Sequence, residues 1–142
     1  MAKRLCSFVL MLSLLFSCCG SALATGGAET QASPTLSRYT TSLTAGTKSG
    51  QVKISYTVSA WSTASVIGVS AIKIYTSNGS YVTTITGSTS NGLLSSNINK
   101  KNGTYTYSGS SGTSYYAMVT FTATVNGTSD WKTVTTNTAK AP

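Results

Sequence analysis

Residues 115–125 read Tyr-Tyr-Ala-Met-Val-Thr-Phe-Thr-Ala-Thr-Val, and this stretch decides the fold class. Its odd-numbered positions hold Tyr, Ala, Val, Phe, Ala and Val, whereas threonine fills most of the even-numbered positions. Because successive side chains of a β-strand point to opposite faces, this alternation is typical of a strand that buries one face. A strand of this length would promote aggregation at a sheet edge, so we expect it to lie centrally in a β-sandwich.

Two further segments carry clear strand patterns. Residues 51–61 alternate apolar and polar side chains, which predicts a strand with one face in the core. In residues 66–76 the apolar positions change parity at Ala71, and this change predicts a β-bulge. Asn78-Gly79 follows, a pair that favours a type I′ turn, so we expect a hairpin into a strand over residues 80–86.

The remaining segments are weaker in pattern but are separated by turn signals. Residues 35–44 predict an edge strand, and residues 87–102 predict a short strand or a loop anchored by Leu93, Leu94 and Ile98. Asn102-Gly103 predicts a turn into a strand over 104–108, and Asn126-Gly127 predicts a hairpin into a last strand over 130–137. Helical periodicity is absent, so we expect an all-β chain of about seven to eight strands.

The N-terminus has the pattern of a secretory signal peptide. Lys3 and Arg4 precede an apolar run over residues 5–16, and Ala22 and Ala24 form a small-x-small cleavage site. The apolar run is shorter than the roughly 20 residues that span a bilayer. We therefore predict cleavage after Ala24, secretion to the cell surface or the extracellular medium, and no transmembrane span in the mature chain.

Two alternatives to this cleavage stay open. The apolar run could remain as an uncleaved anchor, or residues 15–18 could act as a lipobox that attaches a lipid to Cys18 or Cys19. Phe16 fits a lipobox poorly, because such motifs carry a small residue there. All three cysteines of the chain lie in the predicted signal segment, so the mature chain would contain neither disulfides nor thiolate metal sites.

The predicted domain organisation is simple. Residues 1–24 form the signal peptide, 25–34 a flexible linker, 35–138 the β-sandwich and 139–142 a C-terminal tail. Loss of the two basic residues of the signal segment lowers the formal charge from +8 to +6. The mature chain, residues 25–142, is long enough for one core and too short for two.

This pattern resembles the immunoglobulin-like sandwiches. About seven short strands with regularly spaced turns, in a domain of about 110 residues, are typical of that class. Tyr115 opens the penultimate strand after a Ser-Gly crossover, which resembles the tyrosine corner of fibronectin type III domains. The disulfide of antibody domains is missing, and Trp61 ends the second strand instead of lying within the third.

The mature chain is also similar to small secreted proteins of Gram-positive bacteria that carry a signal peptide and one Ser/Thr-rich sandwich domain. The similarity lies in the composition and arrangement of the segments and covers nearly the whole mature chain. It implies a bacterial protein that acts at or near the cell envelope.

The sequence excludes several kinds of catalytic and metal-binding sites. Histidine is absent, which removes His-based triads, His general bases and His metal ligands. The acidic residues are Glu29, in the predicted linker, and Asp130, beside a hairpin. Ordinary glycoside hydrolysis needs two carboxyl groups about 5 to 10 Å apart, and a carboxylate calcium site needs several. We therefore predict a protein that is not an enzyme and has no cofactor or metal site.

Basic and aromatic side chains are the candidates for binding. Five lysines could contact an anionic surface such as a cell-wall polymer: Lys53, Lys73, Lys100, Lys101 and Lys132. The alternative is that they provide solubility and protect strand edges. Trp61 and Trp131 are candidates for stacking against a glycan, with cross-strand packing as the alternative. Nucleic acid is not expected, because the lysines are spread over many segments.

Two functions follow from these observations. The first is a binding or adhesive module at or near the cell envelope that recognises a glycan, an anionic polymer or another surface protein. The alternative is a structural unit that assembles through exposed edge strands. The oligomeric state is left open by the sequence.

Overall fold

The computed structural model describes residues 33–142. The predicted signal peptide, the lipobox and residues 25–32 of the predicted linker lie outside the described residues. In the described part, the chain forms nine strands and no helix. The strands are β1 (Leu36–Ala45), β2 (Gln51–Ala64), β3 (Val66–Thr76), β4 (Tyr81–Thr86), β5 (Leu94–Ser95), β6 (Ile98–Ser108), β7 (Ser114–Val125), β8 (Thr128–Thr135) and β9 (Ala139–Lys140).

The strands form two antiparallel sheets. The first sheet has the order β1-β2-β6, and the second has the order β4-β3-β7-β8. The short strand β5 joins β3, and β9 joins β7. This architecture confirms the prediction of an all-β sandwich. It also confirms that residues 115–125, in β7, lie centrally between β3 and β8, and that β1 is an edge strand.

The core lies between the two sheets and is built from the alternating positions of β2 and β7. Val52, Ile54 and Val58 of β2, and Val119 and Phe121 of β7, are completely buried. Burying each large apolar side chain contributes about 1.5 to 3 kcal/mol. Tyr39 of β1 packs against Phe121 with ring centroids 5.9 Å apart, so the first sheet is joined to the second through aromatic contact.

The predicted bulge and one predicted hairpin are confirmed. The pairing of β3 with β7 shifts register between Val69 and Ala71, where the apolar parity changes. Asn126 and Gly127 have φ angles of 50° and 77°, which are the left-handed values that a type I′ turn requires. β8 begins at Thr128, directly after this turn, and is two residues longer at that end than the sequence indicates.

The hairpin at Asn78-Gly79 is present, but the predicted turn type is wrong. Gly79 has a positive φ of 89° and Asn78 does not. The Gly79 N–H donates to the Thr76 carbonyl over 2.9 Å, and the adjacent strand pair is Tyr75 with Tyr81. This longer loop uses an ordinary turn followed by one left-handed glycine, which is common when a hairpin loop exceeds two residues.

The turn predicted at Asn102-Gly103 is also wrong. Both residues lie within β6, which pairs without interruption with β2 from Gln51 to Ser59. Gly103 lies opposite Tyr56, and the Tyr56 ring occupies the space that a side chain at Gly103 would fill. A glycine inside a strand often marks such a close approach and does not by itself require a turn.

The expected loop anchors and domain ends differ in part from the structure. Leu93 is buried, whereas Ile98 is exposed on β6.

Both predicted ends of the domain differ from the structure. The predicted linker is too long at its C-terminal end, because Ser33 is buried. The predicted tail, residues 139–142, is part of the fold. Strand β9 pairs with β7, and Ala141 is buried. The folded domain therefore includes residues 33–142.

Candidate functional site

The two tryptophans are the most exposed large aromatic side chains at one end of the sandwich. Trp61 is 69% exposed and lies near the end of β2. Trp131 is 59% exposed and lies on β8, in the other sheet. Large aromatic side chains are usually buried or paired, so two exposed indoles in the described residues are candidates for ligand contact.

A short hydrogen-bonded chain connects the two tryptophans. The Trp61 Nε1–H donates to the Ser33 carbonyl over 3.0 Å. The Ser33 hydroxyl donates to Asp130 Oδ2, and Asp130 Oδ1 accepts the backbone N–H of Trp131 over 2.8 Å. We call these four residues, Ser33, Trp61, Asp130 and Trp131, the tryptophan site.

Ser33 is held in place because it also contacts the start of the first strand, three residues further along the chain. Its hydroxyl accepts the backbone N–H of Leu36 over 2.8 Å, which is the local turn contact that serine favours. The backbone N–H of Trp61 donates to the Thr35 carbonyl over 3.1 Å. The Trp61 indole is thus fixed at both its backbone and its ring nitrogen, while most of its surface faces solvent.

The tryptophan site combines groups that suit a sugar. An indole face can cover the apolar C–H groups of a sugar ring, and a carboxylate accepts hydrogen bonds from its hydroxyl groups. Asp130 is the single acidic side chain in residues 33–142. Each carboxylate oxygen accepts one hydrogen bond, from the Ser33 hydroxyl or from the Trp131 backbone N–H. Since a carboxylate has about four lone-pair positions, about two are left for a ligand.

Sequence reasoning identified both tryptophans but missed Ser33 and treated Asp130 as isolated. Ser33 and Asp130 are 97 positions apart in the chain, so no local spacing could pair them. Ser33 also belongs to a segment whose composition resembles a linker. The one local signal is the adjacency of Asp130 and Trp131.

Comparison with models of protein families, with curated proteins and with solved structures finds no match.

Residues 33–142 contain no group of three or more His, Cys, Asp or Glu side chains that could hold a metal ion. A helix with the length and apolarity of a bilayer span does not occur in this part of the chain either.

The five candidate lysines do not form one patch. Lys53 on β2 and Lys100 on β6 are exposed and share the outer face of the three-stranded sheet, as the strand register shows. Lys73 is exposed on β3, and Lys132 is half-buried on β8, both in the other sheet. Lys101 has the inward parity of β6, and its ammonium group donates to the Ser95 hydroxyl over 2.8 Å.

Tyr115 is buried near the start of β7. Its hydroxyl accepts the backbone N–H of Ser110 over 2.8 Å, the kind of contact that a tyrosine corner makes. The Tyr107 ring meets it edge-on with centroids 5.5 Å apart. Burial, together with the neighbouring Tyr115, raises the pKa of Tyr107. The Tyr107 hydroxyl therefore stays neutral near physiological pH.

Proposed function

We propose that this chain is exported and that its domain is a non-catalytic binding module for glycans at or near the cell envelope. The observation that carries the proposal is the tryptophan site, in which Ser33 and Asp130 connect the ring of the exposed Trp61 to the backbone of the exposed Trp131 in the other sheet. The lack of histidine and the scarcity of carboxylates favour binding over catalysis.

The domain is proposed to be an immunoglobulin-like sandwich of the fibronectin type III kind. In immunoglobulin domains strands A, B and E share one sheet, and strand C′ joins C, F and G in the other when it is present. The order β1-β2-β6 and β4-β3-β7-β8 matches this arrangement if β6 is strand E. The hydrogen bond between Ser110 and Tyr115, at the crossover into β7, supports the same assignment.

The tryptophan site is suited to binding because it is held in place before a ligand arrives. The hydrogen bond from the Trp61 ring to Ser33 limits the rotation of the indole. Side chains that are already ordered lose less entropy on binding, which otherwise costs about 0.5 to 1.5 kcal/mol per side chain. A sugar placed on the Trp61 indole would find the Asp130 carboxylate nearby as a hydrogen-bond acceptor, because Ser33 contacts both side chains.

The proposal is tested with the full chain against immobilised neutral oligosaccharides of hexoses and N-acetylhexosamines, with tryptophan fluorescence as the readout. We expect Trp61→Ala and Trp131→Ala each to weaken binding about tenfold or more, as for aromatic residues at the centre of an interface.

Tyr81→Ala is the matched control. Tyr81 is also 59% exposed, but it lies on β4, where it packs edge-on against Tyr75. Binding should be unchanged in this variant. If no oligosaccharide binds, or if the tryptophan variants bind as well as the original chain, the proposal is wrong.

A further inference from the structure

On the outer face of the three-stranded sheet, side chains from all three strands form a regular arrangement. The registers of β1 with β2, and of β2 with β6, align the outward side chains in cross-strand rows. The rows are Thr44-Lys53-Thr106, Ser42-Ser55-Thr104, Thr40-Thr57-Asn102 and Arg38-Ser59-Lys100.

The two central rows line a shallow depression with a volume of about 450 Å³. We call this depression the polar trough, and its outward side chains are Thr40, Ser42, Ser55, Thr57, Asn102 and Thr104. Each of these side chains is short and carries a hydroxyl or an amide group. The trough can therefore donate and accept hydrogen bonds along its length. The one aromatic residue in its lining, Tyr56, has the inward parity of β2 and is buried, so it offers no exposed ring face for stacking.

Positive charge flanks the trough at both ends. Arg38 and Lys100 lie in the row at one end, and Lys53 lies in the row at the other. Lys53 and Ser59 are six residues apart on β2, so the two charged rows are about 20 Å apart at about 3.3 Å per residue. All three cations are exposed. Asp130, the single acidic side chain of residues 33–142, lies on β8 in the other sheet.

We propose that the polar trough binds a linear polymer of polyol units joined by phosphodiester groups. Phosphates would lie against Arg38 and Lys100 at one end and against Lys53 at the other. Arg38 can hold a phosphate with two parallel hydrogen bonds, and the lysines act as point charges. The hydroxyl groups of the polyol would exchange hydrogen bonds with the threonine, serine and asparagine side chains between the charges.

The composition of the trough favours this class over other polyanions. A single-stranded nucleic acid needs aromatic side chains against which its bases stack, and the six side chains of the trough include none. A protein surface that binds a membrane is expected to protrude and to carry basic or apolar side chains. The centre of this sheet face is instead recessed and uncharged. The charged row at Arg38 and Lys100 includes Ser59, two residues before Trp61 on β2, so the trough lies close to the tryptophan site but differs from it in chemistry.

The test uses the full chain, synthetic poly(glycerol phosphate) and calorimetry at two salt concentrations. The first variant combines Arg38→Gln, Lys53→Gln and Lys100→Gln, and the control combines Lys73→Gln, Lys132→Gln and Lys140→Gln in the other sheet. Both variants lose the same charge, so long-range attraction falls equally in both. We expect the first variant to bind about tenfold or more weakly, and the control to change by less than about threefold.

A third variant separates the polyol contacts from charge. Thr57→Val keeps the shape of the side chain and the charge of the molecule but removes a hydroxyl at the centre of the trough. We expect about threefold weaker binding of poly(glycerol phosphate), at about 1 kcal/mol or less per hydrogen bond, and no change for inorganic polyphosphate.

Other outcomes would overturn the proposal. Equal weakening in the two triple variants would mean that the overall charge is responsible and the trough is not. Tighter binding to phosphatidylglycerol vesicles or to single-stranded DNA than to poly(glycerol phosphate) would assign the face to a membrane or a nucleic acid. Neutral oligosaccharide binding should survive in all these variants, which separates a failure here from a failure of the glycan proposal.

Discussion

Two buried tyrosine hydroxyls differ in whether they have a hydrogen-bond partner. The Tyr115 hydroxyl accepts a hydrogen bond from Ser110, as described above. The Tyr39 hydroxyl is buried and has no hydrogen-bond partner within residues 33–142. An unpaired buried polar group carries a desolvation cost of about 1 to 3 kcal/mol.

Tyr39→Phe should therefore stabilise the protein. The substitution keeps the ring against Phe121 and removes the unpaired hydroxyl, so we expect a gain of about 1 kcal/mol in the free energy of unfolding. For a domain of this size, such a gain raises Tm by about 4 °C or more. Urea denaturation and thermal melting of the two proteins measure the change.

Tyr115→Phe is the control for this prediction. It also exchanges a buried tyrosine for phenylalanine, but it removes the contact with the Ser110 N–H. We expect a loss of about 1 kcal/mol in this variant. A destabilised Tyr39→Phe variant would contradict our interpretation of the Tyr39 hydroxyl.

Among the elements, β6 shows how a free strand edge is protected. This strand forms one edge of the three-stranded sheet, and Lys101 lies on its inward face, where Ser95 accepts a hydrogen bond from the ammonium group. A charge that points inward on an edge strand opposes the addition of another strand, because the new pairing would bury it. The position of Lys101 therefore argues against assembly through β6.

Lys101→Val should release this protection. We expect the variant to self-associate at concentrations where the original chain stays monomeric, and sedimentation velocity over a range of concentrations measures the shift. Lys100→Val, on the outward face of the same strand, should associate less. If the original chain already forms salt-resistant oligomers that grow with concentration, the assembly alternative is correct and the role given to Lys101 is wrong.

At the scale of the whole molecule, hydrogen bonds of the C-terminal residues connect the two sheets. The Asn137 side chain accepts the backbone N–H of Leu43 over 3.0 Å and donates to its carbonyl over 2.7 Å, so it pairs with β1 as another strand would. The Pro142 carbonyl accepts the Gly50 N–H over 2.7 Å. Ala141 is buried and exchanges backbone hydrogen bonds with Thr113 and Gly112.

Removal of residues 139–142 should destabilise the domain markedly. At least three backbone hydrogen bonds are lost, and at about 1 kcal/mol each we expect a loss of about 3 kcal/mol in the free energy of unfolding. Chemical denaturation of the shortened and full chains measures it. Lys140→Ala, which keeps the backbone, should change the free energy by less than about 0.5 kcal/mol. Equal stability of the shortened chain would mean that these residues are a dispensable tail.

Several features of the fold follow from the amino-acid sequence alone. The alternation in β2 and β7 predicts their buried faces, the change of parity predicts the bulge near Ala71, and Asn126-Gly127 predicts its turn. These features depend on local sterics and on which side chains avoid water, and both are properties of a short segment. The exposed tryptophans were also identified in this way.

The tertiary structure alone decided which residues meet across strands. A strand alternates in the same way whichever neighbour it has, so the sequence could not show that Gly103 makes room for Tyr56 or that Ser33 reaches Asp130. It could not show that Lys53 and Lys100 share one face while Lys101 points inward. Register and sheet order set these contacts, and both depend on the packing of segments that are distant in the chain.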